Sequence, residues 1–209
     1  MSSNGASSPS RGYAKGRARR REILLAALNA FAEQGFRATS MREIAEMVGL
    51  SQAGLLHHFS SKDELLEEVL RLRDEEQETF NERFGRHDGL NAVRYLIDLV
   101  ELNARQVELV RLYTVLAGES VGAGHPARPY FLQRYTTIRE RVASRLRDAR
   151  DAGEIRADVD LPAVASVLIA AMDGLQIQWL HDPDAVDMRT AFADFLEAYL
   201  RGLAPEPQM

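Results

Sequence analysis

The sequence predicts an all-α protein, in which an N-terminal three-helix helix-turn-helix domain precedes a larger helical domain. Three observations predict this fold class. Helical periodicity recurs in almost every segment after the first turn-rich residues, no alternating strand pattern appears, and a short two-helix motif with a glycine turn lies near the N-terminus. The 209 residues are enough to form one large or two small domains with a real core.

The first 14 residues are rich in Ser, Gly and Pro, and we expect this N-terminal tail to be disordered. A first helix follows, in which Leu24, Leu28 and Phe31 form an apolar stripe, and it ends at Gly35. A basic cluster lies at or just before the start of that helix, and it consists of Arg17, Arg19, Arg20 and Arg21.

A second helix begins at Met41. Ser40 and Glu43 have the spacing of a capping box, in which each side chain satisfies a free backbone N–H of the other residue. The inward face of this helix is formed by Ile44, Ala45 and Val48. Gly49 then stands where the chain must turn sharply, because a residue without a Cβ adopts positive φ at little cost.

A third helix begins near Ser51. Leu55 and Phe59 lie four residues apart and are expected to point into the core. Four side chains remain on the other faces: Gln52, Ala53, Leu56 and His57. The small Ala45, the turn glycine and this anchored helix together match a helix-turn-helix, which favours DNA binding over the alternative of an ordinary helical hairpin.

The remaining chain reads as further helices. Ser61 and Glu64 form a second predicted capping box. Periodicity predicts helices over Asp63 to about Phe84, Leu90 to about Asn103, Val107 to about Leu116, Pro129 to about Ala152, Leu161 to about Leu180 and Asp187 to about Leu200. The predicted breaks are at Gly85, Gly89, the GAGHPARP loop, Gly153 and Asp182–Pro183.

Charge is segregated along the chain, although the net charge of the whole is -5. Residues 1 to 62 carry nine Lys or Arg against four Glu, whereas residues 63 to 209 carry 17 against 27. Only the N-terminal part is therefore electropositive. This distribution suits a protein that approaches phosphates at one end.

The segment FAEQGFRATSMREIAEMVGLSQAGLLHHFSSKDELL resembles the DNA-binding domain of the TetR family of transcriptional regulators. The resemblance runs in order through Phe31, Gly35, Phe36, Thr39, Ile44, Ala45, Gly49, Leu55, His58, Phe59, Lys62 and Leu65. It implies a division into a tail at 1–14, a DNA-binding domain at 15–62 and a helical effector-binding and dimerisation domain at 63–205.

The resemblance also implies which side chains contact a double-stranded DNA operator. Gln52, Ala53, Leu56 and His57 would face the groove, and the Gln52 amide suits both edge groups of adenine. Phosphate contacts would come from Thr39, Ser40, Arg42 and Lys62, with Arg17, Arg19 and Arg20 forming a basic arm, and Ser51 is a further DNA-binding candidate. Two departures, Gly54 and Leu56, remove a hydroxyl and a phenol that the family often places there.

In proteins of this family the middle helices enclose a cavity for a small-molecule effector. The polar and aromatic candidates here are Tyr95, Glu101, Tyr113, Glu119, Arg134, Tyr135, Gln176 and Trp179. For any one of them, a solvated or hydrogen-bonded position in a helical bundle is the alternative.

The last two helices carry more apolar surface than one packing face requires, and the family pairs such helices with those of a second copy. The residues concerned are Leu161, Ala165, Leu168, Ile169, Met172 and Leu175, followed by Phe192, Phe195, Leu196 and Tyr199. The resemblance thus implies a homodimer on a palindromic operator, with burial inside the monomer as the alternative.

Several classes of protein are disfavoured. The chain has no cysteine, which excludes disulfides and Cys-ligated metals. His57 and His58 are adjacent on a helix and face different directions, so we expect neither a metal site nor a cofactor. No secretory signal is evident, and the apolar run from Ala163 to Met172 is too short to span a membrane, which predicts a cytoplasmic protein.

No acid, base or nucleophile has recognisable catalytic spacing, so the chain is not expected to be an enzyme. The resemblance to the TetR family implies a ligand-responsive regulator, a repressor that a small molecule releases from its operator. The alternative is an architectural or partner-binding DNA protein without an effector.

Overall fold

The fold is described from a computed structural model, which covers residues 11–84 and 89–205 and their side chains over 14–75 and 89–205. This part of the chain contains nine helices and no strand. Their bounds are α1 Arg11–Ala38, α2 Met41–Met47, α3 Gln52–His58, α4 Lys62–Phe84, α5 Gly89–Ala104, α6 Val107–Glu119, α7 Arg128–Asp151, α8 Leu161–His181 and α9 Met188–Leu203. The predicted all-α class is confirmed, whereas the predicted break at Gly85 lies outside the described residues.

Helix α1 begins earlier than expected. Arg11–Ala14 are helical, so the prediction of disorder is wrong for these four residues; the rest of the predicted tail lies outside the described residues. Arg, Lys and Ala are good helix formers, and the run that follows residue 10 is rich in them. At its other end, α1 is interrupted at Gly35, where φ is 81° and ψ is 167°. The predicted end of the regular helix at Gly35 is therefore confirmed.

The predicted caps of the helix-turn-helix are present. The Ser40 hydroxyl oxygen accepts from Glu43 N at 3.2 Å, and the Glu43 carboxylate accepts from Ser40 N at 2.7 Å. Gly49 has φ of 66°, as the sharp turn requires. The cap of α4 differs from the prediction, because Ser61 accepts from Glu64 N while the Glu64 carboxylate binds Ser60 N instead of Ser61 N.

Two hydrophobic clusters hold the helices together. The first joins α1–α4, and α6 contributes Leu112, Tyr113 and Leu116 to it. The second joins α5, α7, α8 and α9, with Phe192 and Leu196 fully buried. Because α6 packs into the first cluster and α4 continues it through Leu70, apolar packing crosses the predicted domain boundary at residue 62.

A hydrogen bond at the kink of α1 connects the two parts of the molecule. The Glu119 carboxylate, at the end of α6, accepts from Phe36 N at 2.8 Å. His125 Nε2 lies 3.4 Å from the same carboxylate, and His125 Nδ1 accepts from Ala127 N. Since Nδ1 acts as the acceptor, the ring N–H is at Nε2, on the side of Glu119. The junction is thus fixed by a carboxylate that no local pattern predicted.

Among the described residues, α8 is the one helix long and apolar enough to cross a membrane by length and composition. Val164, Leu168 and Met172 on this helix are buried against the other helices of the second cluster. Packing within the chain therefore accounts for much of its apolar character.

Candidate functional site

Helix α3 presents a small mixed surface on a rigid base. Leu55 and the cap residue Phe59 are both 0% exposed, and burial of each such side chain stabilises the fold by about 1.5–3 kcal/mol. Gln52, Ala53 and His57 are exposed, and Leu56 is 41% exposed. The predicted division of this helix into anchoring and outward residues is confirmed.

Two serine hydroxyls at helix N-termini are exposed beside this surface. Ser40 caps α2, and Ser51 caps α3 by accepting from Gly54 N at 3.1 Å. Each cap uses a hydroxyl lone pair, so the hydroxyl proton is left for an acceptor such as a phosphate oxygen. The hydrogen bonds from Ser40 lower the pKa of Glu43, which keeps this carboxylate charged and the capping box closed.

Thr39 does not fit its predicted role. Its side chain is only 1% exposed, and its hydroxyl lies 2.8 Å from the Gly35 carbonyl oxygen and 3.2 Å from that of Ala30. A buried hydroxyl cannot reach DNA, so the prediction of a phosphate contact through this side chain is wrong. The Thr39 hydroxyl is instead used inside the domain, within hydrogen-bond distance of two carbonyls of α1.

The basic arm is also partly committed to the fold. Arg19 donates to the Val48 carbonyl oxygen at 2.5 Å, at the end of α2. Arg20 donates to the His58 carbonyl oxygen at 2.6 Å, and its guanidinium carbon lies 4.0 Å from the Phe59 ring centroid. These two residues tie α1 to the ends of α2 and α3, which corrects their interpretation as a free arm. Arg17 is exposed.

Lys62 has a structural role that the sequence did not predict. Its ammonium donates to the carbonyl oxygens of Phe36 at 2.8 Å and Thr39 at 2.9 Å, and lies 4.2 Å from the Phe36 ring centroid. It therefore closes the C-terminal end of α1. Arg42 is different, because it is 75% exposed and its partner is Glu46 on the same helix, at 3.3 Å.

We expect Lys62→Met to destabilise the fold and Arg42→Met to leave stability almost unchanged. The first removes a charged donor from two carbonyls, at a cost of about 1–3 kcal/mol, whereas an exposed pair such as Arg42–Glu46 contributes about 0–1 kcal/mol. Denaturant unfolding of both variants measures this difference. Operator titration over a range of salt should show weaker binding of Arg42→Met to every duplex. Equal unfolding free energies for Lys62→Met and the wild type would contradict the role of Lys62.

A cavity lies between helices α4 to α8. Its volume is only about 30 Å³, which is room for two or three water molecules. Its apolar lining is formed by Leu99, Leu102, Leu109, Val110, Ile138, Ile169 and Met172, and its polar lining by Arg73, Asn103, Gln106, Tyr113, Arg134, Tyr135, Asp173 and Gln176. A cavity that combines apolar walls with convergent polar groups is suited to binding a small molecule.

Two carboxylates bind the polar side chains of this region. Asp74 accepts from Tyr130 at 2.8 Å, and the same oxygen lies 3.3 Å from Arg73 and 3.4 Å from Arg134. Asp173 accepts from the Tyr135 hydroxyl at 2.9 Å.

Burial shifts the ionisation of this wall. It raises the pKa of Asp173 and of the Tyr135 hydroxyl, and it raises the pKa of Tyr130 to about 12. Burial, reinforced by the neighbouring Arg134, lowers the pKa of Arg73. Ionised groups are therefore costly to bury in this wall, and the pKa values of these groups would shift further if a charged ligand bound beside them.

Four of the eight predicted ligand residues line the cavity: Tyr113, Arg134, Tyr135 and Gln176. The other four lie elsewhere, so their prediction as lining residues is wrong for this cavity. Glu101 pairs with Arg105 and Arg189 at the surface, and Glu119 binds Phe36 N. Trp179 is buried in the second cluster, and Tyr95 is half-buried on α5.

Arg73 and Asp173 line the cavity but were not among the residues predicted from the sequence, although sequence features could have identified both. Arg73 stands four residues after Val69 and three after Leu70, where the helical period places a buried side chain. Asp173 is the one acidic residue in α8, a helix of mostly apolar residues. A charged residue at a core position indicates a buried polar site.

No group of three or more His, Asp or Glu side chains that could hold a metal ion occurs among the residues whose side chains are described. His57 and His58 have ring centroids 5.8 Å apart and cross at 67°. His57 is exposed and forms part of the outward surface of α3 described above.

Comparisons with known proteins agree with this geometry. Residues 23–69 match the family model for bacterial regulatory proteins of the tetR family, and residues 122–205 match that of the BetI-type transcriptional repressor C-terminal domain. The HTH-type transcriptional regulator UidR of Escherichia coli K12 is 31% identical over 190 residues, covering 88% of this chain and 92% of UidR. The repressor AcnR of Corynebacterium jeikeium is 27% identical over 190 residues, with the same two coverages.

Solved structures are also similar. A regulator from Saccharomonospora viridis in complex with choline has a TM-score of 0.73 and 26% identity, covering 87% of this chain and 96% of its own. A TetR regulator from Chloroflexus aurantiacus has a TM-score of 0.78 and 22% identity, covering 91% and 98%, which shows a shared fold.

Proposed function

The chain belongs to the tetR family of bacterial regulatory proteins, and from that premise we propose that it represses transcription and leaves its operator when a small molecule binds. As a member of this family it is a DNA-binding regulator and not an enzyme. The observation that carries the proposal is the exposed face of α3, because Gln52, Leu56 and His57 stand outward on a helix whose anchors are fully buried. Since an operator-binding protein acts where the DNA is, we place it in the cytoplasm.

In this proposal α3 enters the major groove, with Gln52, Ala53, Leu56 and His57 towards the bases. Gln52 reads an adenine through its amide. The phosphate contacts are assigned to Ser40, Arg42, Ser51 and Arg17, which are exposed, whereas Arg19, Arg20, Thr39 and Lys62 hold the domain in shape. Residues 15–62 thus bind DNA, and residues 63–205 bind the effector and a second copy.

We assign the dimer contact to the outward face of α8 and its neighbour α9. Most of the apolar residues predicted for this contact, such as Leu168 and Phe192, are buried within the monomer. A different stripe on α8 faces outward at intervals of four and three residues: Ala163, Val167, Ala170, Gly174 and Ile177. Val167 is 44% and Ile177 46% exposed. Small residues at this spacing allow two helices to approach closely.

A two-fold dimer would place two α3 helices about 34–36 Å apart and would read a palindromic operator. We expect Val167→Glu to give monomers and to weaken operator binding by at least tenfold, because it puts a charge into the contact. Sedimentation velocity and operator titration measure the two effects. Val121→Glu is the matched control, since Val121 is 77% exposed in the loop after α6. A dimeric Val167→Glu variant would contradict this interface.

The small volume of the cavity supports the proposal that a bound ligand releases the protein from its operator. A molecule larger than a few waters must separate the helices that enclose the cavity. One of them is α4, which begins at Lys62, with three residues between it and the end of α3 at His58. A ligand that favours the expanded state therefore shifts the dimer away from the spacing that fits DNA, by the difference in its affinity for the two states.

The proposal is tested by selecting operators from random duplexes on the purified protein at a stated salt concentration. We expect enrichment of a palindromic sequence with half-sites one DNA turn apart. Enrichment no greater than for nonspecific binding would overturn the proposal. Because selection needs no effector, it tests DNA recognition separately from ligand release.

A further inference from the structure

We infer that the effector is a carboxylic acid with an apolar body, whose carboxylate replaces Asp74 between Arg73 and Arg134. The inference rests on the proposed function only in calling the bound molecule an effector. The binding chemistry follows from the cavity.

The cavity wall is cationic. Arg73 and Arg134 have side chains only 11% and 18% exposed, and both line the cavity. The lining contains one acidic residue, Asp173, which accepts a hydrogen bond from Tyr135, so the two guanidinium groups outnumber the carboxylates of the lining. Buried guanidinium groups favour a nearby anion strongly, because little water is present to screen them.

Asp74 is a weak anionic partner for the two guanidinium groups. Its oxygen lies 3.3 Å and 3.4 Å from the two guanidinium groups, longer than the roughly 2.7–2.9 Å of a strong charge-assisted hydrogen bond. The Asp74 side chain is also 44% exposed, so water screens part of its charge. A carboxylate delivered from inside the cavity can approach both arginines more closely and use both of its oxygens.

The ligand body is expected to be mainly apolar. The lining includes six leucine, isoleucine and valine side chains from α5, α6, α7 and α8, among them Leu102, Leu109 and Ile138, and its amide groups are those of Asn103, Gln106 and Gln176. Tyr113 forms the transition between the two regions, because both guanidinium carbons lie 4.9 Å from its ring centroid. An acid with an aliphatic or aromatic body matches this polarity from end to end.

The exchange of carboxylates also explains how such a ligand would act. Asp74 is on α4, and its partners Tyr130 and Arg134 are on α7. A ligand carboxylate that takes the arginines would replace the contact of Asp74 with Arg134 by a bridge of its own between Arg73 on α4 and Arg134 on α7. Because α4 is the helix that continues from the DNA-binding domain, a change in how α4 packs against α7 changes the position of α3.

The experiment measures binding to the full-length protein by calorimetry without DNA. The probes are sets with one apolar body and three head groups: octanoate, octanamide and octylamine, and 4-phenylbutanoate with its amide and amine. We expect the acids to bind at least tenfold more tightly than the amides and the amines to bind least. A panel in which no acid binds better than its amide would overturn the inference.

Two variants should shift acid binding in opposite directions, which a merely structural role would not produce. Arg134→Gln should weaken acid binding about tenfold or more, through loss of a charged donor. Asp74→Asn should tighten it several-fold, because it removes the competing carboxylate and keeps an acceptor for Tyr130. Arg139→Gln, an exposed change on the same helix, is the control. If both cavity variants weaken binding equally while circular dichroism stays unchanged, the carboxylate exchange is wrong.

Operator titration with the same probes separates this inference from the proposed function. Release of DNA by acids supports both. If the amines or amides bind and release DNA while the acids do not, the proposed function stands and the inference fails. If the acids bind as expected without affecting DNA affinity, the ligand class stands and the proposed effector response fails.

Discussion

Gly35→Ala is expected to destabilise the protein by about 2–4 kcal/mol, because two costs add at this position. Gly35 has φ of 81° and ψ of 167°, a region that is essentially restricted to glycine and costs other residues about 1–3 kcal/mol. A Cβ at this position would also lie 2.3 Å from Glu119 Oε1. The new methyl group would therefore push the carboxylate away from Phe36 N, its hydrogen-bond partner. Denaturant unfolding measures the total loss.

A double variant separates the cost of backbone strain from the cost of the steric conflict with Glu119. Gly35→Ala combined with Glu119→Ala removes the steric conflict and keeps the backbone strain, so the two changes together should cost less than the sum of their separate effects. Gly118→Ala, in helix α6 with nothing within 4 Å of its added Cβ, is the control and should stabilise by about 0.5–1 kcal/mol. Full additivity of the Gly35 and Glu119 changes would contradict the conflict between the two residues.

The local features of this fold could be predicted because their physical causes are local. Ser40, Ser51, Asp160 and Asp187 each accept from a backbone N–H three residues later, and each cap coincides with a helix start close to the prediction. The exposed face of α3 follows from the period of the helix once Leu55 and Phe59 are placed inside.

The residues that were misread have partners far away in sequence. Arg20 binds a carbonyl 38 residues away, and Lys62 binds one 26 residues away. Near a DNA-binding motif, both looked like phosphate contacts. Their actual partners are carbonyl groups left open at helix ends, and the sequence does not show which helix end lies beside which side chain.

The cavity was predicted in part for a related reason. Tyr113 and Tyr135 were identified because they are polar or aromatic side chains among apolar neighbours, and both line the cavity. Glu101 and Glu119 met the same criterion as polar side chains but lie on other faces of α5 and α6, where they bind Arg189 and Phe36 N. The face of a helix is ambiguous when apolar residues surround it on several sides, as happens in the interior of a bundle.

Gln52→Ala should cause the largest loss of sequence-specific DNA binding. A bidentate contact of an amide with adenine is worth about 1–3 kcal/mol, and a symmetric dimer loses it in both half-sites, so the total is about 2–6 kcal/mol. Gln52 is exposed on α3 beside a fully buried anchor, so its removal should leave the unfolding free energy almost unchanged. Titration of the selected operator and of a nonspecific duplex measures the effect on each.

The base that Gln52 reads can be identified with the same variant. Changing the matching A·T pair in both half-sites should weaken binding of the wild-type protein but affect Gln52→Ala very little, because the contact is already absent. Gln133→Ala, which removes the same exposed side chain from α7, is the control and should keep full specificity. If Gln52→Ala instead weakens the operator and the nonspecific duplex equally, with a smaller dependence on salt, then Gln52 contacts phosphate, and the sequence is read by other residues of α3.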